Sequence, residues 1–174
     1  MSDAIEYLVH GVPEGRSRRL LRRVLERLPV GWDHYRTFDV ELLSDKPSRG
    51  YGSCRRDEAL EASADDLLLE GHAEQCWAVT LYQPWLDAFS DDAALWIIAH
   101  ELGHVASGMA CGTVVVGGVA YTRMAGTDDD YRPVTPEDRA GGEKIADAIA
   151  RAWGFWAEEE AFAWEDERLT RELP

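Results

Sequence analysis

The stretch Asp91-Asp-Ala-Ala-Leu-Trp-Ile-Ile-Ala-His-Glu-Leu-Gly-His-Val-Ala-Ser107 limits the possible folds more than any other part of the chain. Ser90 offers an N-cap, and Asp91 and Asp92 suit the positive end of a helix dipole. The spacing therefore predicts a helix from Ser90 to about Ser107, stopped by Gly108. Leu95, Ile98, Leu102 and Val105 line one face, while Trp96, His100 and His104 form a second row four residues apart. A helix that is apolar on nearly all sides has to be wrapped by the rest of the fold. It carries His100, Glu101 and His104 inward with it, and polar groups taken out of water need partners.

These three residues make the pattern His-Glu-x-x-His. Residues four apart lie one turn apart on one face, so both imidazoles can reach a single Zn²⁺ at about 2.0–2.1 Å. The glutamate beside the first histidine can then take a proton from water that the metal has acidified. With 5 His and 17 Glu in 174 residues, the pattern arises by chance in roughly one such chain in seventy. Two histidines on a buried helix also occur as satisfied core residues. The setting separates the two readings: the run follows a predicted strand, sits within a capped helix, and has Gly103 where another backbone could approach closely.

A catalytic zinc commonly has three protein ligands and one open position. Cys111, His72 and His10 are available as the third, but no pattern supports them. Glu143 has one. Thr135-Pro136-Glu137-Asp138 combines a hydroxyl N-cap, proline at the first helical position and acids in the first turn. It predicts a helix from Pro136 to about Trp153, with Gly154 as its stop. On that helix Glu143, Ala146, Asp147 and Ala150 share a face. Gly141, Gly142, Ala146 and Ala150 would let it press against the His100 helix. Glycine inside a helix costs about 1 kcal/mol relative to alanine, so a packing role is expected. Asp147, one turn beyond Glu143, could orient a ligand imidazole.

His-Glu-x-x-His followed by Glu143-Lys-Ile-Ala-Asp147 resembles the gluzincin metallopeptidases, in particular the compact ImmA/IrrE-type and phage-type cytoplasmic ones. The likeness runs from about Cys76 to Phe155. It implies zinc held by His100, His104 and Glu143, with Asp147 bracing a ligand histidine and Glu101 as general base. The implied activity is hydrolysis of a peptide or protein substrate, extending to regulatory cleavage of a partner protein. The same site without turnover would make a zincin-like zinc-binding regulatory or interaction protein. The chain departs from the family pattern in its long segment from Val105 to Thr135, and no DNA-binding module is recognisable.

Elsewhere, Leu20, Leu21, Val24, Leu25 and Leu28 predict an amphipathic helix from about Glu14 to Leu28 that ends at Pro29. Phe38, Val40 and Leu42 alternate with acids as in a half-buried strand, and Cys76 to Tyr82 is a second strand, interrupted by Gln83-Pro84. Asp45 to Asp57 reads as a loop or irregular hairpin, and Asp65 to Glu70 fits no single pattern. Thr113 to Tyr121 reads as a hairpin turning at Gly117-Gly118, followed by a polar loop. The tail from Phe155 reads as a further helix whose Phe155, Trp156, Phe162 and Trp164 pack in the core. Together these elements predict a single α+β domain over residues 1–174 of the minimal zincin-like kind. It would have a small, mostly antiparallel sheet, a buried motif helix and a second, glutamate-bearing helix.

Charge bounds the partners. A net of −15 disfavours nucleic acid as a general partner. The arginines at 16, 18, 19, 22, 23 and 27 crowd into one helix. Such a face is expected to be solvated or to balance the acidic body, with the Glu158–Glu160 and Glu165–Glu167 tail, an acidic partner or nucleic acid as sharper alternatives. Cys54, Cys76 and Cys111 are sparse and odd in number, which points to a reducing compartment. With no signal-peptide pattern and no apolar run of membrane-spanning length, the expectation is a cytoplasmic protein without a membrane partner. The oligomeric state has no signature in the sequence.

Overall fold

The computed structural model describes residues 2–29, 37–44, 51–56, 76–107, 113–116, 119–123, 131–133 and 135–172. In chain order the elements are α1 (Ser2–His10), α2 (Arg16–Leu25), β1 (Thr37–Leu43), β2 (Gly52–Arg56), β3 (Cys76–Tyr82) and α3 (Gln83–Ala88). Then come α4 (Asp91–Ser107), β4 (Thr113–Val116), β5 (Val119–Arg123), β6 (Tyr131–Pro133), α5 (Pro136–Ala152) and α6 (Trp156–Glu172). The class is α+β. No helix among the described residues is long and apolar enough to cross a membrane.

The first sheet has the order β1-β3-β2 and is mixed, where a mostly antiparallel sheet was expected. β3 runs parallel to β1, with Val40 opposite Val79, and antiparallel to β2, with Cys54 opposite Val79. The long connection from Leu43 to Cys76, which includes β2, supplies the length that a parallel return requires. β2 itself falls in a segment that reads as loop, because Gly-Ser-Cys-Arg-Arg has neither β-branched residues nor alternation. The second sheet, β4-β5-β6, is antiparallel throughout. Its first two strands match the expected hairpin, and β6 adds a short strand within what reads as a polar loop.

α4 lies at the centre, packed by α2, α5, α6, β2 and β3. Ala93 to Ala99, Leu102 and Val105 are all buried, which explains an apolar pattern that runs around the whole helix. Ser90 Oγ accepts the Ala93 amide at 3.3 Å, the N-cap expected from sequence. Thr135 closes a full capping box with Asp138 at the start of α5, and Gly154, at φ +90°, ends that region in the left-handed conformation. Gln83-Pro84 opens the short α3 rather than merely interrupting a strand.

α2 buries Leu20, Leu21, Val24 and Leu25 and spends its arginines inside the molecule. Arg16 donates to Asp91 at 2.7 Å, to the Phe89 carbonyl at 2.9 Å and to the Leu86 carbonyl, joining the end of α3 to the start of α4. Arg18 serves the Val12 and His10 carbonyls, Arg22 pairs with Glu6, and Arg23 lies 3.6 Å from Asp91. Arg27 stacks 3.7 Å over the Phe155 ring and reaches Glu158. The face balances the acidic body, and one of its pairs is with the tail. Phe155, just before α6, is fully buried and Phe162 packs against the core, but Trp156 and Trp164 are 61% and 66% exposed, contrary to expectation.

α4 and α5 meet almost backbone to backbone. A Cβ on Gly103 would stand 2.7 Å from the Ala146 carbonyl oxygen, while one on Gly141 would meet nothing within 4 Å. The two glycines should therefore respond oppositely to alanine. Gly103→Ala is expected to cost about 1–3 kcal/mol by overpacking, a fall of several degrees in Tm. Gly141→Ala should instead stabilise by about 0.5–1 kcal/mol, as a glycine-to-alanine change in an unobstructed helix interior does. Thermal unfolding of the two variants checks both signs.

Candidate metal centre

The close approach at Gly103 brings the polar residues of the two helices together. His100 and His104 flank Gly103 on α4, and Glu143 and Asp147 flank Ala146 on α5. Donor atoms of His100, His104 and Glu143 all lie within 4.8 Å of one another. His100 Nε2 is 3.1 Å from His104 Nε2 and 3.0 Å from Glu143 Oε2, and Glu143 Oε1 is 3.6 Å from His104 Nε2. The imidazole rings stand edge to face at 88°, so both Nε2 atoms turn to one point. On its far side His100 Nδ1 is 2.9 Å from Asp147 Oδ1, as donor to carboxylate when the proton sits on Nδ1. His104 Nδ1 is buried and finds no hydrogen-bond partner among the described residues.

Glu101 shares the cavity with the two histidines and is buried against β2. A Cβ on Gly52 would lie 2.6 Å from both Glu101 Cγ and Oε1, so the strand's backbone rests on this side chain. Burial pushes the Glu101 carboxyl up to about 7, against the pull of His100 and His104. Glu143 is the opposite case: hydrogen bonds to His100, then to His104, hold its carboxyl far below the usual range. For His100 burial opposes the charge. The hydrogen bond to Glu143 and the fields of Glu101, Glu143 and Asp147 outweigh it and raise the imidazole to about 9.

An open cavity of about 460 Å³ exposes this cluster. β2 and the residue before it contribute Tyr51 to Cys54, α4 contributes Trp96, Ile97 and the motif residues, α5 contributes Glu143 and Asp147, and α6 contributes Phe162. All five residues singled out from sequence, His100, Glu101, His104, Glu143 and Asp147, line it. Among the other ligand candidates, His10 is exposed at the end of α1, outside the cluster, while His72 and Cys111 lie outside the described residues. Tyr51 and Phe162 had no signal in the sequence as site residues: one lies within the segment that reads as a loop or irregular hairpin, the other is a core aromatic on a remote helix. Both could have been found only from the fold.

The donor set of two imidazole nitrogens and one carboxylate suits Zn²⁺ in chemistry and number. Searches of protein-family models, curated proteins and solved structures find no match for this chain.

The raised His100 sets a pH test. Below its ordinary 6.5 the proton is bound in the folded and unfolded chain alike, and as pH rises towards about 9 only the folded chain keeps it. The stabilisation is thus full below about 6.5 and gone above about 9. With a chelator present, Tm should fall across that window. Added Zn²⁺ competes with the same proton, so its stabilising increment should grow as pH rises. Calorimetry across the window with and without zinc reads both trends, and an increment independent of pH would contradict the linkage.

Proposed function

We propose that the chain is a zinc-dependent peptide hydrolase of the gluzincin type, with a zincin-like domain. One observation carries the reading: His100, His104 and Glu143 turn their donor atoms to a common point beside a cavity that also holds a buried glutamate. His100 and His104 would hold the metal through Nε2 and Glu143 through its carboxylate, with Asp147 fixing the His100 ring from behind. Zinc bound there would supply Lewis acidity, polarising a carbonyl and lowering the pKa of water.

The chain's own groups account for the proton traffic. Glu101 would take the proton of the attacking water as the new bond to the carbonyl carbon forms. It would then give that proton to the departing amine nitrogen as the C–N bond breaks. A carboxyl raised to about 7 is matched to both halves of that task at neutral pH. Glu143, held ionised by its histidines, is suited to ligation and not to proton transfer.

The substrate class follows from β2. β3, the strand that leads towards the motif helix, offers no free edge to an extended peptide, because β1 and β2 occupy both its edges. Among the described residues β2 is an edge strand, and its Gly52 backbone rests on Glu101, so a peptide laid along it would pass the proposed base. A second reading, a zinc-binding regulatory protein without turnover, draws on one observation. Tyr51, the tyrosine among the described residues that lines the cavity, has its hydroxyl committed to Asp166 and is not poised to stabilise an oxyanion. Tyr121, Tyr131 and His72 are oxyanion-stabilising candidates by residue type, but the side chains of the two tyrosines, and His72 entirely, lie outside the described part.

Elemental analysis after dialysis, run beside peptide-library cleavage, separates the readings. Wild type should hold one zinc per chain and cleave; Glu143→Ala should lose most of the metal. Asp147→Ala should weaken metal affinity or activity by about 10–100-fold. Glu101→Gln should keep its zinc and lose at least about 10²–10⁴-fold in turnover. Zinc retained by Glu143→Ala would remove that residue from the ligand set. Zinc in the wild type with no cleavage of any peptide would favour the protein without turnover.

A further inference from the structure

The cavity extends beyond the metal cluster, towards the N-terminal end of α4. Trp96 and Ile97 stand one turn before His100 and Glu101 and carry the wall from polar to apolar. The Trp96 ring lies 6.3 Å from the His100 ring. Tyr51 and Phe162 complete this end, with their rings edge to face at 5.4 Å. Behind them Tyr51 also stacks edge-on against Trp85 and Phe89, so the wall is backed by packed aromatic rings.

Phe162 arrives from α6, and its position is not left to apolar packing alone. Phe162, Glu165, Asp166 and Leu169 share one helix face. Glu165, itself buried, accepts the Ser90 amide at 2.8 Å, which ties α6 to the first turn of α4. Its neighbour Asp166 accepts the Tyr51 hydroxyl, which ties α6 to the residue that leads into β2. Two consecutive carboxylates thus fasten the helix to both walls of the cavity. Burial first, then the bond to Asp166, pushes the Tyr51 phenol up to about 12, so it stays a hydrogen-bond donor at neutral pH.

From this arrangement we infer that α6 is a specificity element: Phe162, with Tyr51, Trp96 and Ile97, forms a subsite for one large apolar side chain of the substrate, next to the scissile bond. Glu165 and Asp166 are positioning residues that hold its far wall. The inference rests on the reading of the cluster as a zinc peptidase site. The four lining side chains offer no charge, so a substrate carboxylate or ammonium would lose water there without a partner. An isobutyl or benzyl group would instead be taken from water into contact with aromatic rings.

The test uses zinc-loaded full-length protein and a set of small hydroxamates, which chelate the metal without being cleaved. The members carry hydrogen, methyl, isobutyl, benzyl or carboxyethyl at the carbon beside the hydroxamate. In wild type, isobutyl and benzyl should bind at least about tenfold more tightly than hydrogen, and carboxyethyl should show no such gain. Phe162→Ala should bring that ratio most of the way to unity. Phe162→Trp, which fills the space, should move the preference from benzyl to methyl, so the inference stays testable if the smaller residue unfolds. Zinc per chain controls for an intact site in each variant. Equal binding across the series, a preference for carboxyethyl, or ratios unchanged in both variants would overturn the subsite. Selective binding without cleavage of any peptide would uphold the subsite and overturn only the hydrolase reading. Failure to hold zinc would overturn the metal centre and this inference with it.

Discussion

The cleft depends on how closely α4 and α5 approach at Gly103 and Ala146. With no side chain at 103, the α4 backbone reaches the Ala146 carbonyl, and Gly142, Ala146 and Ala150 make a buried stripe along α5 that allows it. The contact also fixes register. His100 and His104 stand three residues before and one after Gly103; Glu143 and Asp147 stand three before and one after Ala146. Two helices touching at those points must set the four polar residues face to face. A larger residue at either point would separate the four polar side chains by about the thickness of a methyl group, more than the distance tolerance of about 0.2 Å that a metal site would allow.

Three carboxylates that line one cavity, Glu101, Glu143 and Asp147, meet different surroundings. Glu101 has an apolar interior around it and the Gly52 backbone against it, so its proton is retained to about neutrality. Glu143 lies at the solvent-facing side between two imidazoles and is held ionised. Asp147 is occupied with the His100 ring nitrogen. Environments that push titratable groups apart in this way would suit one carboxyl to carrying a proton and another to holding a metal without any change of residue type.

The meeting of His100, His104 and Glu143 was legible in the sequence because its geometry is local. Four-residue spacing on one helix sets the two histidines, and a capping box, a small-residue stripe and a glutamate mark the second helix. The sheet was less legible. Gly52 to Arg56 pairs with β3 because β3 presents an edge to it, and nothing in those five residues favours a strand on its own. The placement of β3 at the centre, which removes it as a peptide platform, is likewise a property of long-range pairing. Trp156 and Trp164 were expected in the core from their apolar character alone. They stand exposed because the α6 face that turns inward carries Phe162, Glu165, Asp166 and Leu169 instead.

That face explains why the C-terminal helix hides its part in the cleft. A binary reading of hydrophobic and polar residues assigns Glu165 and Asp166 to solvent. Burial of Glu165 is tolerated because its carboxylate meets an otherwise unsatisfied amide at the start of α4, where the helix dipole also favours negative charge. The arginines of α2 follow the same logic with the sign reversed, donating to carbonyls at the end of α3 and α1. In this molecule charge is an instrument of attachment as much as of solubility. Helix ends offer unpaired amides and carbonyls at defined points, and the charged residues that reach them decide where α6, and with it Phe162, comes to rest.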